Sequence, residues 1–184
     1  MAVDGSALNP QPKLRLFFAC WPDAALQEQL AQLGRQLQRQ CGGKPSRREN
    51  LHLTLVFLGD VDSADLPQLQ QIAASIHTPP FELQLTQLGG WLEAGIGWLR
   101  PDATPAALTQ LVTQLNQALR DAGFKTENRR YQAHITLLRK QAHAYGQRLA
   151  APLRWPVDDF CLVASSLDHH GPSYRIIASW PLRG

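Results

Sequence analysis

The chain has 184 residues, of which 44% are hydrophobic and 18% are charged. These proportions are those of a folded globular protein and argue against an intrinsically disordered one. The formal net charge of +3 permits a polyanionic partner without requiring one. The three cysteines, Cys20, Cys41 and Cys161, are widely spaced, which argues against a disulfide framework and a thiolate zinc site.

Membrane and secretory signals are not evident in the sequence. No segment approaches the roughly 18 apolar residues that a membrane-spanning helix needs. The first residues lack the basic start and apolar stretch of a signal peptide. We therefore expect a cytoplasmic protein without membrane contact.

The first part of the chain predicts a flexible tail over 1–12, followed by strand, helix, strand and helix. The first strand covers Lys13–Cys20, and Asp23 caps the helix after it. Gly42 ends that helix, and the second strand covers Leu51–Leu58. Apolar residues recur at helical spacing at Leu26, Leu30, Leu33 and Leu37, and again at Leu66, Leu69, Ile72 and Ile76.

The rest of the chain predicts five strands and two helices. Two strands meet at a turn at Gly89-Gly90, and Thr104 caps a helix with Pro105 in its first turn. A short polar helix is expected over 142–150. The strands cover Phe81–Leu88, Gly95–Leu99, 131–138, 158–164 and 173–180.

A strand–helix–strand order therefore occurs twice. It predicts an α+β fold with two pseudo-symmetric lobes, each an antiparallel sheet with outer helices, around a central cleft. Residues 13–184 would form this single bilobal domain. We expect a monomer, because one core uses all the apolar helix faces.

One short pattern is present in both predicted lobes, as His52-Leu53-Thr54-Leu55 and His134-Ile135-Thr136-Leu137. Side chains alternate along a strand, so each histidine shares a face with the threonine two residues later. Histidine titrates near neutrality and can act as an acid or a base, while hydroxyls can bind phosphate oxygens. The alternative is two half-buried strands that each carry a satisfied histidine. The pattern favours acid–base chemistry on a phosphate.

The sequence resembles the bacterial and archaeal RNA 2′,3′-cyclic phosphodiesterases, also called 2′-5′ RNA ligases, of the two-histidine phosphoesterase superfamily. The resemblance extends from Arg15 nearly to the C-terminus. It is carried by Arg15–Ala19, Glu49–Leu55, Phe57–Gly59, Arg130, His134–Arg139, Ser165-Ser166, Gly171 and Tyr174.

The resemblance implies metal-independent hydrolysis of a 2′,3′-cyclic phosphate at an RNA end to a 2′-phosphomonoester, and a related 2′-5′ joining reaction. It implies no cofactor, no metal site and no obligate protein partner. His52 and His134 would be the acid–base pair, with His52 as the acid, and Thr54 and Thr136 would hold the phosphate.

Several further residues are candidate contacts. Arg139 matches the family's phosphate-binding arginine, but its position on a straight strand turns it away from Thr136, so it requires a bulge or a strand end. Arg130, Tyr174 and Phe17 are candidate substrate contacts. The same alternation assigns Phe57 to the core.

Two other functions remain open. The protein could act on another small cyclic phosphoester, such as ADP-ribose 1″,2″-cyclic phosphate. It could instead be a non-catalytic module that binds RNA or a nucleotide. The presence of both histidines and both threonines argues against the non-catalytic module, because binding alone would tolerate their loss.

Overall fold

The computed structural model describes residues 12–168 and 171–184, so the expected tail lies almost wholly outside the described residues. The helices of the described part are α1 (Ala24–Cys41), α2 (Leu66–Ala74) and α3 (Ala106–Asp121). Its strands are β1 (Lys13–Cys20), β2 (Lys44–Pro45), β3 (Leu53–Asp62), β4 (Phe81–Trp91), β5 (Ile96–Pro101), β6 (Ile135–Arg139), β7 (Gln147–Val157), β8 (Asp159–Asp168) and β9 (Gly171–Pro181).

The predicted strand–helix start of the domain is confirmed. The backbone N–H of Leu26 donates to the carboxylate of Asp23 over 2.8 Å, which caps α1 as expected. Gly42 follows α1 with φ +70°, a conformation that glycine adopts without a Cβ clash.

The predicted turn at Gly89-Gly90 is wrong, because β4 continues through both glycines and the turn lies at 92–95. A Cβ on Gly89 would lie 2.5 Å from the Trp98 ring, and one on Gly90 would lie 2.1 Å from the Gln141 side chain. These glycines therefore allow close packing within the sheet rather than a reversal of the chain.

Two helix predictions also need correction. The helix expected over 142–150 is wrong, because 147–150 belong to β7, an edge strand that pairs only with β4 in the described sheet. Most of β7 is exposed, so its sequence lacks the apolar alternation of a half-buried strand. Thr104 does not cap α3, because Pro105 occupies the N-cap position and no side chain caps the helix there.

One antiparallel sheet, in the order β7-β4-β5-β6-β3-β1-β8-β9, forms the framework of the described chain, with β2 added beside β6. Its two four-stranded halves are joined by a single pair between β3 and β6, Leu53 with Ile135. This division confirms the predicted two-lobed α+β fold. The single-domain assignment of 13–184 stays a prediction.

The helices cover one face of the sheet and tie its halves together. Helix α1 follows β1 in the chain but packs on β6, which belongs to the other half of the sheet. Helix α3 follows β5 but packs on β3, which again belongs to the other half. The close approach of α1 to β6 depends on Gly34, where a Cβ would lie 3.2 Å from the Leu137 carbonyl. The main core lies between the helices and this face.

A small second cluster lies on the other face, which carries the cleft. Phe17, Ala19, Cys161 and Val163 are its buried members. No helix in the described residues is both long and apolar enough to cross a membrane.

Candidate active site

The two sequence motifs lie side by side at the centre of the sheet. Leu53 pairs with Ile135, and the residues that flank a paired position in antiparallel strands face each other. His52 therefore faces Thr136, and His134 faces Thr54, on one side of the sheet. The histidines occupy diagonal corners of this group of four, a spacing of about 7–8 Å in antiparallel strands. That spacing leaves room for a phosphoryl group between the rings.

A β-bulge follows the threonine of the first motif. Thr54 and Val56 pair with consecutive residues of β1, so Leu55 is an extra residue in β3. The bulge reverses the alternation, and Leu55 and Val56 are both buried. Phe57 consequently lines the cleft, and its assignment to the core is wrong.

The second motif contains the same bulge. Thr136 and Leu138 pair with consecutive residues of β5, so Leu137 is the extra residue in β6. Leu137 and Leu138 are both buried, and Arg139 lines the cleft at the end of the strand. Arg139 and Phe57 thus occupy equivalent positions, one a cation and the other an aromatic ring.

Hydrogen bonds fix the tautomer of His52. Its Nδ1 lies 2.7 Å from the Asn50 carbonyl oxygen, which can only accept, so Nδ1–H is the donor. In the neutral ring, Nε2 then accepts from the Thr54 hydroxyl at 3.0 Å. Nε2 is therefore the nitrogen that can exchange a proton in the cleft.

His134 is fixed in the same way. Its Nδ1 donates to the Gln132 carbonyl oxygen over 2.8 Å, so Nε2 again carries the lone pair of the neutral ring. In both motifs the accepting carbonyl lies two residues before the histidine. The repeat therefore presents two imidazoles with the same reactive atom.

Aromatic side chains surround His52. The Trp21 ring stacks on it with centroids 5.0 Å apart and an interplanar angle of 3°. Phe17 lies 4.9 Å away and Tyr174 5.2 Å away, both by ring centroids. Burial among these rings lowers the pKa of His52 from 6.5 to about 4. The nearby charges of Arg139 and His134 lower the pKa further, while the bond to the Asn50 carbonyl opposes them.

His134 has a different neighbourhood. The Trp91 ring contacts it edge-on with centroids 4.6 Å apart. Burial lowers the pKa of His134 below the ordinary histidine value. The charges of Arg129 and Arg139 act in the same direction, and the hydrogen bond to the Gln132 carbonyl opposes them.

The cleft has a volume of about 310 Å³ and a cationic wall. Its basic lining residues are Arg15, Lys44, Arg47 and Arg139. Lys44 and Arg139 face each other across β2 and β6, and within the described residues neither has an ion-pair partner. Two unneutralised cations beside two histidines favour an anionic ligand.

Polar bonds hold the cleft walls across the two halves. The Ser46 hydroxyl donates to the Thr136 carbonyl at 2.8 Å, and the Tyr131 hydroxyl donates to the Thr54 carbonyl at 3.0 Å. Burial raises the pKa of Tyr131, so its hydroxyl stays protonated and remains a donor. The Asn50 side chain donates to the Pro172 carbonyl at 2.7 Å, which ties the β8–β9 hairpin to the first motif.

The structure brings most of the predicted site residues together. Both histidines and both threonines line the cleft with Arg139, Phe17 and Tyr174. Arg130 does not line it and instead lies at a second cavity beside His134. No cluster of three or more potential metal ligands occurs within 12–168 and 171–184.

Four contributing residues were not identified from the sequence as site residues. Lys44, Ser46 and Asn50 line the cleft, and Trp21 covers His52. The available signal for Lys44 was the group of basic residues just before the first motif, Lys44, Arg47 and Arg48. The register of β2 against β6, which brings that group to the second motif, was not readable from local sequence.

A two-lobed α+β fold with a histidine–threonine pair from each lobe defines the class of two-histidine phosphoesterases. A family model described as LigT-like phosphoesterase matches the chain twice, over residues 21–98 and 99–174. The chain therefore belongs to the LigT-like phosphoesterase family. Each match contains one of the two motifs, His52 and Thr54 in the first and His134 and Thr136 in the second.

Relatives with assigned names agree with this family. An RNA 2′,3′-cyclic phosphodiesterase of Escherichia coli is 34% identical over 171 residues, which are 91% of this chain and 96% of that protein. One from Thermus thermophilus is 28% identical and covers 93% of this chain and 91% of that protein. The crystal structure of E. coli LigT with 3′-AMP has a TM-score of 0.84 at 33% identity, covering 93% of this chain and 99% of that one.

Proposed function

We propose that this protein hydrolyses RNA-terminal 2′,3′-cyclic phosphates to 2′-phosphomonoesters. The observation that carries the proposal is the pair of imidazoles with matched tautomers on one face of the central strands. They lie next to Lys44 and Arg139, which have no ion-pair partner among the described residues. The names of the E. coli and T. thermophilus relatives support the substrate class. We further propose a single domain over 13–184 that acts as a cytoplasmic monomer without a cofactor.

The reaction needs one base and one acid on opposite sides of the phosphorus atom. A water oxygen forms a bond to phosphorus while the P–O3′ bond breaks. One Nε2 takes the water proton and the other gives its proton to O3′. Each such transfer typically contributes about 10²–10⁴ in rate.

The phosphate itself would contact Thr54, Thr136 and Arg139. These side chains share the cleft with the histidines. Their hydroxyl and guanidinium donors can bind the non-bridging oxygens, where negative charge increases in the transition state.

The surroundings of the histidines support His52 as the acid. The ribose that carries O3′ must lie on the leaving-group side, with its base nearby. Phe17 and Tyr174 beside His52 offer the aromatic surface on which a base can stack. His134 is then on the side of the attacking water.

The lowered pKa of His52 opposes the acid role in the empty cleft. A ring with a pKa of about 4 is almost wholly neutral at pH 7. A bound phosphate is an anion close to the ring and favours its protonated form. Substrate binding would therefore raise the pKa of His52, and the ring would take up the proton from solvent.

Product analysis tests the function directly. The protein is incubated with RNA that ends in a 2′,3′-cyclic phosphate, in EDTA, and the product is compared with 2′- and 3′-phosphate standards. We expect turnover and a 2′-phosphate. Tight binding without turnover would indicate a binding module, and a 3′-phosphate would contradict the geometry.

A further inference from the structure

The pairing between the two motif strands ends at the residues that carry the hydroxyls of the cleft. Strands β3 and β6 pair at Leu53 with Ile135. Thr54 and Thr136 are the next residues along each strand, where this pairing has already stopped. A backbone carbonyl at the end of a ladder needs a donor from elsewhere in the protein. The backbone of both threonines therefore depends on groups outside the two motif strands.

Side-chain hydroxyls supply these donors, and they do so across the two halves. Tyr131, in the segment that leads into the second motif, donates to the Thr54 carbonyl of the first motif over 3.0 Å. Ser46, in the segment that leads into the first motif, donates to the Thr136 carbonyl of the second motif over 2.8 Å. The segment before each motif thus holds the threonine of the other motif.

The two bonds act at the point where each strand enters its bulge. The carbonyl of Thr54 belongs to the peptide that leads to the extra residue Leu55, and that of Thr136 to the peptide that leads to Leu137. A bulge bends its strand and changes the direction of the side chains beside it. A hydroxyl that fixes this peptide therefore also fixes the direction of the threonine side chain attached to it.

The two hydroxyls are not equally important by this argument. The backbone N–H of Ser46 also donates to the Leu137 carbonyl, over 2.9 Å. When the Ser46 hydroxyl is removed, this second bond still holds the bulge of β6. We therefore expect the larger effect from the hydroxyl of Tyr131.

We propose that these two hydroxyls position the phosphate-binding threonines: Tyr131 sets the direction of Thr54, and Ser46 sets that of Thr136. The inference rests on the proposed phosphodiesterase function. Thr54 also donates to His52 Nε2 over 3.0 Å, so a shift of Thr54 moves a hydrogen-bond partner of a reacting nitrogen. Misplacing such a group by about 1 Å can cost about 10²-fold in rate. Both positioning residues act through the threonine backbone and take no part in the proton transfers.

Removing the Tyr131 hydroxyl is the first test. Tyr131→Phe keeps the ring, and kcat on a nucleoside 2′,3′-cyclic phosphate should fall about tenfold with a smaller change in KM. The reason is that the threonine contact strengthens in the transition state, where charge increases on the non-bridging oxygens. The matched control is Tyr145→Phe, because the Tyr145 hydroxyl donates to Gln147 and lines neither cavity. Its kcat should not change.

Two variants of Ser46 with the same shape isolate the second hydroxyl. Ser46→Val lacks the hydroxyl, whereas Ser46→Thr has the same size and keeps it. We expect kcat to fall about threefold in Ser46→Val, the size of one weak hydrogen bond. Ser46→Thr should recover most of this loss.

A crossed set of double variants separates positioning from general stability. Thr54→Val and Thr136→Val each remove one hydroxyl from the cleft. Tyr131→Phe should add little to the loss of kcat in Thr54→Val but keep its full effect in Thr136→Val. Ser46→Val should show the reverse pattern. A residue that only stabilised the fold would add the same loss in both backgrounds.

Binding of a nucleoside–vanadate complex repeats the crossed comparison without turnover. Its trigonal-bipyramidal vanadium resembles the phosphorus of the transition state, so its dissociation constant reports the same contacts. We expect the dissociation constant to rise in the same variants and with the same crossed pattern as the loss of kcat.

The outcomes separate this inference from the proposed function. Hydrolysis by the unaltered protein together with equal losses in both threonine backgrounds would overturn the positioning roles and leave the phosphodiesterase function intact. Absence of hydrolysis in the unaltered protein would reject the phosphodiesterase function. The vanadate dissociation constants would then decide the positioning roles, since the crossed pattern would support them and equal changes in both backgrounds would overturn them.

Discussion

The two halves of the cleft share a backbone plan but differ in their side chains. Each half supplies a histidine, a threonine two residues later and a bulge at the next leucine. Around His52 the neighbours are aromatic, whereas the strand of His134 ends in Arg139. The repeat therefore explains why two equivalent imidazoles meet, and the differences explain how they can take unequal roles.

Removing either imidazole should have the largest effect. We expect His52→Ala and His134→Ala each to lower kcat/KM by about 10²–10⁴, because each removes one proton transfer. The double variant should be little worse than either single one, since both groups act in one transition state. Steady-state kinetics on a nucleoside 2′,3′-cyclic phosphate measures this, and losses that multiply would show that the histidines act independently.

The second largest effect is expected at Arg139, and its size should differ from the effect at the equivalent position, Phe57. Arg139→Ala should lower kcat by about 10²-fold, because it removes a charged donor to the phosphate in the transition state. Phe57→Leu keeps an apolar side chain at the matching position and removes no charged donor. It should therefore change kcat less than about fivefold. Equal losses at both positions would mean that Arg139 acts through packing and not through charge.

The aromatic surroundings of His52 should affect substrate binding. Tyr174→Ala should raise KM about tenfold with a smaller change in kcat, because base–aromatic stacking is worth about 1–3 kcal/mol. Tyr174→Phe keeps the ring and serves as the control. A KM unchanged in Tyr174→Ala would place the base elsewhere.

The smallest expected effect is the change of kcat/KM and kcat with pH, which depends directly on the pKa values of the two histidines. Below the pKa of His52, about 4, both rings are protonated and no base remains. Above the lowered pKa of His134 both rings are neutral in the free protein and no acid remains. The profile of kcat/KM should therefore have its maximum below pH 6.5, and that of kcat should peak at higher pH because the bound phosphate raises both pKa values.

Replacing Trp21 should separate the contribution of His52 to the pH profile from that of His134. Trp21→Ser would hydrate His52 and raise its pKa, so the acidic limb of the kcat/KM profile should move to higher pH. The alkaline limb, set by His134 near Trp91, should stay in place. A profile that is flat from pH 5 to 9, or one that peaks on the alkaline side, would contradict this account.

The fold and the paired motifs were predictable because their signals are local. Helical spacing in α1 and the alternation around His52 and His134 can be read from a few neighbouring residues. The bulges at Leu55 and Leu137 cannot, since an extra residue appears only when a strand meets its partner. For this reason the simple alternation of side chains along a strand assigned Phe57 to the core by mistake. The same alternation could bring Arg139 to the site only if the strand had a bulge or ended there.

Two other sequence predictions were wrong because they too depended on contacts between residues far apart in the chain. Gly89 and Gly90 resemble a turn in sequence, but they are required by the Trp98 and Gln141 side chains that pack over them. Arg130 is near the second motif in sequence, yet the chain before His134 carries it to the neighbouring cavity. The cleft therefore depends on register between strands, which a single sequence does not show.

The most direct test of the proposed roles, His52 as the acid and His134 as the base, changes the leaving group of the substrate. A cyclic substrate with sulfur in place of the bridging 3′ oxygen releases a thiolate, which needs little protonation because thiols ionise near pH 8.5. With this substrate the loss in His52→Ala should shrink to less than about tenfold, while that in His134→Ala should persist at about 10²–10⁴. Rescue of His134→Ala instead of His52→Ala would reverse the assignment, and rescue of neither would contradict acid catalysis by these rings.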